Sequence, residues 1–137
     1  MNKAVTDLTV LLRSMEPVLN EGVYVYSVLP LGADPGAVPA VATFREVEGV
    51  TLITTEAEAI KAGLSVLFRA AWITLNVQSE LQAVGFTAAF SHALSDAGIS
   101  CNVVAAAYHD HIFVPVDRAQ EALACLRQLQ EQSLRSN

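Results

Sequence analysis

The sequence predicts an α+β protein of two pseudo-repeated, ferredoxin-like (βαββαβ) lobes with antiparallel sheets, placed at residues 1–69 and 70–137. Two observations carry that expectation. Residues 70–116 read as strand, helix, strand and strand, and an amphipathic stretch over 117–132 closes the run with a second helix. Residues 1–69 hold a comparable mixture of short strands and helices, so each half reads as a four-stranded unit short of one strand. Open sheet edges are a liability, and pairing between lobes or between chains removes it.

The first helix is expected over residues 5–19, with Val5, Leu8, Leu11, Leu12, Met15 and Leu19 as its apolar stripe. Thr6 or Asp7 caps it, and Pro17 with Gly22 ends it. Val23–Leu29 is apolar on both faces, the pattern of a strand covered on both sides. Pro30–Pro39 is a loop long for a hairpin connection, either a functional flap or a surface excursion. Val41–Val47 and Val50–Thr54 form a hairpin around Glu48-Gly49. Thr55 with Glu58 matches a capping box and opens a short helix that runs to Gly63.

Leu64–Val77 supplies one long bent strand or two consecutive ones. Its apolar parity shifts between Val66/Phe68 and Ile73/Leu75/Val77, which predicts a kink or bulge near Arg69–Ala71. Phe86, Ala89, Phe90, Ala93, Leu94 and Ala97 share one helical face, and Gly98 stops that helix. Ile99–Ala107 and Ile112–Val116 pair across the turn Tyr108-His109-Asp110-His111. The last helix starts at Asp117, with Gln120 three residues on, and turns Ala119, Ala122, Leu123, Leu126 and Leu129 inward. Beyond Gln130 the tail is expected to fray.

Composition limits the function classes. A net charge of −6 with no Lys/Arg cluster argues against nucleic acid. The longest apolar run, Leu64–Val77, is interrupted by polar residues and too short to span a bilayer, which takes about 20 residues. Met1-Asn2-Lys3, followed by Thr6 and Asp7, does not read as a secretory signal. Cys101 and Cys125 lack metal-site spacing and read as reduced, core-facing thiols of a cytoplasmic protein. The 53% hydrophobic fraction against 16% charged leaves apolar surface for a permanent partner, and a homodimer or larger assembly is expected.

The strand Trp72-Ile-Thr-Leu-Asn-Val77, the helix opening Val84-Gly85-Phe86-Thr-Ala-Ala-Phe90 and the exit Leu94-Ser-Asp-Ala-Gly98-Ile99-Ser100 carry a likeness to a known family. In that order they resemble an ACT domain, the small-molecule sensing module of amino-acid metabolism. Tyr108-His-Asp-His-Ile-Phe-Val114 is similar to the Tyr-Asp-Thr-Asp-Tyr turn of aspartate kinases and cytosolic arginine sensors, with His109-Asp110-His111 in place of an acidic turn. Thr43-Phe-Arg-Glu-Val-Glu-Gly-Val-Thr-Leu-Ile53 resembles the first lobe of small stand-alone bacterial ACT-like proteins of unassigned function.

The resemblance implies tandem ACT lobes, no catalytic centre, no cofactor, and an amino acid or similar ligand at a lobe or subunit interface. Carried over by position, the ligand residues are Glu80, Leu81, Val84, Gly85 and Phe86, facing Asn102 and Val103 on a neighbouring strand. The chemistry agrees: free N–H groups at a helix start attract a carboxylate, Gly85 permits close approach, and Glu80 can anchor an ammonium. Gln82-Ala83 stands where small hydroxyl-bearing residues are usual.

Other constellations are weaker. His109 and His111 project to one side of a strand and suit a shared metal, with His92 or Asp96 as a third ligand; the alternative is a solvated turn. No Gly-x-Ser-x-Gly elbow or phosphate-cradling glycine loop occurs. Arg45 either takes a ligand carboxylate or belongs, with Glu46 and Glu48, to a solvent-facing row. Tyr24, Tyr26, Phe44, Phe68 and Trp72 read as core or subunit contacts. The expected function is a non-enzymatic binding module. A purely structural oligomerisation protein is the alternative, and a metal protein or small enzyme built on His109/His111 the lesser one.

Overall fold

The computed structural model describes residues 7–77 and 79–135. By contact the chain divides into one unit of Met1–Asn20 with Trp72–Asn137 and a second of Glu21–Ala71. The chain opens with α1 (Leu8–Ser14), capped by Asp7, whose carboxylate accepts from the Val10 amide at 3.1 Å. Val5 and the alternative cap Thr6 lie outside the described residues.

The helix expected over 5–19 is cut short at Ser14, and β1 (Pro17–Leu19) takes its place. Pro17 explains both: its ring and missing N–H end a helix, whereas the first residue of a strand tolerates it. Leu19, expected in the helix stripe, is instead half of a ladder pair with Ile73.

The remaining elements are β2 (Tyr24–Leu29), β3 (Ala42–Arg45), β4 (Val50–Thr55), α2 (Glu56–Lys61), β5 (Phe68–Leu75), α3 (Phe86–Asp96), β6 (Asn102–Ala105), β7 (Asp110–Pro115) and α4 (Ala119–Arg135). Thr55 caps α2 as expected, its hydroxyl accepting from the Glu58 amide at 3.2 Å. The loop after β2 carries a short 3-10 turn, Pro35–Ala37, and is pinned by Val38, buried with Leu29 and Leu52. The helix α4 runs on to Arg135, past the point where fraying is expected; Ser136 and Asn137 lie outside the described residues.

Within Glu21–Ala71 the strand order is β3-β4-β2-β5, with neighbours antiparallel. The pairs Tyr24↔Ala70 and Tyr26↔Phe68 fix the register of β2 on β5. This is the ferredoxin-like order, with the first helix reduced to the 3-10 turn. In the other unit β5 pairs with β1 (Pro17↔Leu75, Leu19↔Ile73) and lies beside β7, with β6 outermost.

The strand missing from the C-terminal half is therefore β1, drawn from residues that read as helix. β5 is one unbroken strand rather than two: Phe68–Ala70 pair with β2 and Ile73–Leu75 with β1. Its buried parity does change, at Ala70–Ala71.

The core of the unit containing the C-terminus gathers Leu11 and Met15, Ile73 and Leu75, Phe90 and Leu94, Ile112 to Val114, and Leu126, all at most 1% exposed. Here α4 packs against α1, α3 and β1. α3 stops as its sequence predicts. Gly98 takes φ +73°, its amide bonds to Ser95 O at 2.9 Å, and Ile99 N–H reaches Leu94 O at 2.9 Å. That pair of bonds is a Schellman cap, and it claims Ile99 for the helix end, so β6 begins at Asn102 rather than Ile99. Arg118 adds to the cap, donating to Ala97 O and Gly98 O at 3.1 and 3.3 Å while forking onto Glu121.

Candidate functional site

Between β5 and α3 the chain meets the start of β7. Val77 and Ser79 are buried there, and the Ala83 amide closes a turn onto Glu80 O at 3.0 Å. β7 begins beside this loop with Asp110, a carboxylate only 5% exposed. The Ser79 hydroxyl donates to Asp110 Oδ2 at 3.0 Å. Asp110 and Ser79, with Glu80, Phe86, Thr87 and Ala105, wall a recess of about 50 Å³. Ser79, Glu80 and Leu81 also border a wider, more open cleft of about 400 Å³ that reaches Ala107.

The chemistry of the recess follows from its walls. Among the described residues Asp110 has no Lys or Arg ion-pair partner. A desolvated carboxylate is stabilised by donors, and an ammonium suits it well. On the adjoining wall α3 starts at Phe86 with no side chain capping its leading amides. Those N–H groups and the helix dipole favour a carboxylate.

Of the residues singled out in the sequence, Glu80, Leu81 and Phe86 line the recess, Leu81 with most of its side chain exposed. Val84 points outward, 84% exposed. Gly85 is the left-handed cap of α3, at φ +93° and ψ −17°. A Cβ there would lie 3.3 Å from Leu8 Cδ2, so the close neighbour of this glycine is α1. Asn102 and Val103 stand on β6 but not among the lining residues, to which that strand gives Ala105. Asn102 spends its amide on Phe113 O at 3.3 Å. Arg45 is exposed on β3, in the other unit.

Asp110 and Ser79 are the polar residues that sequence reasoning missed. The turn expected at Tyr108–His111 is displaced toward Ala106–His109, closed by Ala106 N–H onto His109 O at 3.1 Å. Asp110 and His111 are thereby strand residues, not a solvated tip. Period-two alternation held the signal: Asp110 shares its face with Ile112 and Val114.

The two imidazoles are close, ring centres 6.4 Å apart, but His111 is already engaged. Trp72 Nε1–H donates to His111 Nδ1 at 3.0 Å, and Thr74 Oγ1 lies 3.1 Å from the same nitrogen. An indole N–H only donates, so Nδ1 holds a lone pair in use and the ring proton sits on Nε2. Neither nitrogen offers a metal a free lone pair. His109 Nδ1 is buried without a hydrogen-bond partner. His92 and Asp96 pair with each other at 3.3 Å on the exposed side of α3. Among the described residues no group of three or more His, Cys, Asp or Glu gathers to hold a metal.

Both cysteines are free and partly buried. Burial pushes the Cys101 thiol up to about 11 and raises Cys125 as well, whose Sγ–H donates to Ala93 O. Such thiols are poor nucleophiles at neutral pH.

Comparison with known proteins bears on the family and the fold. A family model described as ACT domain matches residues 3–71, and a second ACT-domain model matches 67–128. No protein among those of curated function matches. A solved structure from Vibrio cholerae, described as a protein of unknown function and possible transport protein, shares 46% identity over 90% of this chain and 95% of its own, with a TM-score of 0.80. The regulatory subunit of aspartate kinase from Thermus thermophilus, in ligand-free form, aligns over 83% of this chain and 97% of its own at 12% identity and a TM-score of 0.63. That of Thermus flavus aligns over 82% and 95% at 10% identity and a TM-score of 0.60; at these identities the likeness is one of fold. With one ACT model over each half and a close relative along nearly its full length, the chain belongs to the ACT-domain family.

Proposed function

We propose that this chain is a non-catalytic regulatory module that binds a small zwitterion, an amino acid or a near relative, at the start of α3. The observation that carries the reading is the pairing of a buried carboxylate, Asp110, with an uncapped helix start across one small recess. The ligand ammonium goes to Asp110 and Glu80, its carboxylate to the leading amides of α3, and its side chain into the open cleft beside Leu81. Gly85 keeps the helix start free of a side chain, and Val84 forms the outer rim.

The same reading takes the protein to be a cytoplasmic homodimer or larger. β3 ends the strand order of its unit and exposes Phe44 to 72%, while β6 ends the other. Arg45 on the first edge and, on the second, Val103 and the side-chain oxygen of Asn102 would meet a ligand held against a neighbouring copy. Among the described residues no helix is long and apolar enough to cross a membrane.

A thermal-shift screen against the twenty amino acids tests the proposal. A ligand at a hundred times its Kd adds about 2.7 kcal/mol to the native state and raises the midpoint. The shift should disappear in Asp110→Asn, which keeps the acceptor for Ser79 and loses the charge. The 50 Å³ volume of the recess, room for one small group, is the feature that favours the second reading, an oligomerisation scaffold without ligand. A flat screen at millimolar concentrations, with a dimeric mass in solution, would establish that reading instead.

A further inference from the structure

We propose that His111 is an acid-sensitive latch between β5 and β7, closed only while its imidazole is neutral. Two donors converge on one nitrogen. Trp72 Nε1–H reaches His111 Nδ1 at 3.0 Å, and Thr74 Oγ1 stands 3.1 Å from it. Thr74 Oγ1 also accepts from Asn20 Nδ2 at 3.0 Å, which leaves its own proton to point at the imidazole. The chain Asn20, Thr74, His111, Trp72 thus adds to the β5–β7 strand pairing a side-chain link that turns on a single lone pair. A second ring proton has one place to go, Nδ1, where it would meet the indole N–H head-on and force the Thr74 hydroxyl to turn away.

The surroundings oppose that proton as well. Burial holds the His111 pKa below the ordinary 6.5, and the neighbouring His109 lowers it further, while Asp110 pulls the other way. These two are its titratable neighbours in sequence, His109 just before β7 and Asp110 at its first position. β5 presents Trp72 and Thr74, and β6 places Val104 opposite in the ladder, none of which titrates between pH 4 and 8. The folded protein therefore binds this proton less readily than the unfolded chain. The latch's contribution to stability is complete above pH 6.5 and is lost as pH falls through the lower folded value.

Position gives the latch its consequence. Trp72 and Thr74 lie just before the β5–α3 loop, and His111 follows Asp110, so the latch anchors both walls of the recess. Protonation removes that side-chain link while the strand pairing persists, and acid loosens the site whether or not a ligand is present. Failure of the latch would leave the proposed ligand reading standing, because its titration needs no ligand.

The chain has one tryptophan, so its fluorescence reads the latch directly. Titrated from pH 8 to 4.5, with far-UV circular dichroism confirming that the fold persists, Trp72 emission should fall in one step with a midpoint below 6.5. The step should be absent in His111→Gln. In His109→Gln it should remain and move to higher pH, since the neighbouring positive charge is gone. Amide exchange across Asn76–Gly85, corrected for intrinsic rates, should rise below the midpoint in the wild type alone. Flat emission, a midpoint at or above 6.5, or a step that survives in His111→Gln would overturn the proposal. Should His111→Gln not fold, imidazole nitrogen NMR of the wild type at pH 8 decides: a proton on Nε2 upholds the latch, and one on Nδ1 refutes it.

Discussion

Replacing Gly85 with alanine separates two costs that the structure predicts at the start of α3. The first is backbone: at φ +93° a Cβ costs roughly 1–2 kcal/mol, offset by about 0.4–1 kcal/mol because the alanine chain has less freedom to lose on folding. The second is contact, since the new Cβ would lie 3.3 Å from Leu8 Cδ2 and the leucine must give way. Leu8 is 37% exposed and can move, so this term belongs at the low end of overpacking, about 0.5–1 kcal/mol. Gly98 is the internal control: it has φ +73° and nothing within 4 Å of a Cβ, so only the backbone term applies. With a urea slope of about 2 kcal/mol per molar, Gly98→Ala should lower the midpoint by about 0.5 M and Gly85→Ala by about 0.8 M. The decisive number is the coupling with Leu8→Ala. It should be about 0.5–1 kcal/mol for Gly85→Ala and zero for Gly98→Ala. Zero coupling at Gly85 would refute the seating of α1 on the loop that holds the candidate site.

Three further outcomes follow from the same packing. Phe90→Ala removes a fully buried ring whose centre lies 5.1 Å from that of Phe86 and should cost about 3–5 kcal/mol in chemical denaturation; a loss under 1 kcal/mol would mean α3 is not the core helix described. Asn20→Ala deletes the bonds to Trp72 O and Thr74 Oγ1, at 3.2 and 3.0 Å, and should cost about 1–2 kcal/mol while blue-green dye binding to exposed apolar surface stays low. Cys101, with its thiol pushed up to about 11, should react with iodoacetamide at pH 7.5 far more slowly in the native protein than in urea, and equal rates would contradict its burial.

Local chemistry was legible where one residue type suffices. The Thr55 cap, the Gly98 stop and the α3 stripe each follow from neighbours a few positions away. Pro17 was legible too, but its weight was misjudged: six apolar residues at helical spacing outvoted one residue that cannot continue a helix. Asp110 was hidden differently. Its carboxylate suggests a turn, its parity with Ile112 and Val114 a buried face, and parity prevails because Ser79, 31 positions away, satisfies the buried oxygen. No local rule brings Ser79 to Asp110. The same holds for His111, whose neighbours in sequence suggest a metal pair and whose neighbours in space, Trp72 and Thr74, occupy its lone pair.

The parity shift in the middle of the chain has its explanation in β5 rather than in a break. A strand paired with β2 at one end and β1 at the other answers to two sets of partners. Its buried residues include both Ala70 and Ala71, then Ile73 and Leu75, so the alternation slips by one where the partner changes. Two alanines sit at that slip, the smallest side chains with a Cβ, and both are at most 2% exposed. A bulkier residue at either position would have to find room where both faces of the strand are already buried. Ala71→Leu should therefore destabilise the chain by about 1–3 kcal/mol, although the same change raises strand hydrophobicity. If it stabilised the protein instead, the slip would be a loose joint with space to fill, and the reading of β5 as one strand serving two partners would lose its physical basis.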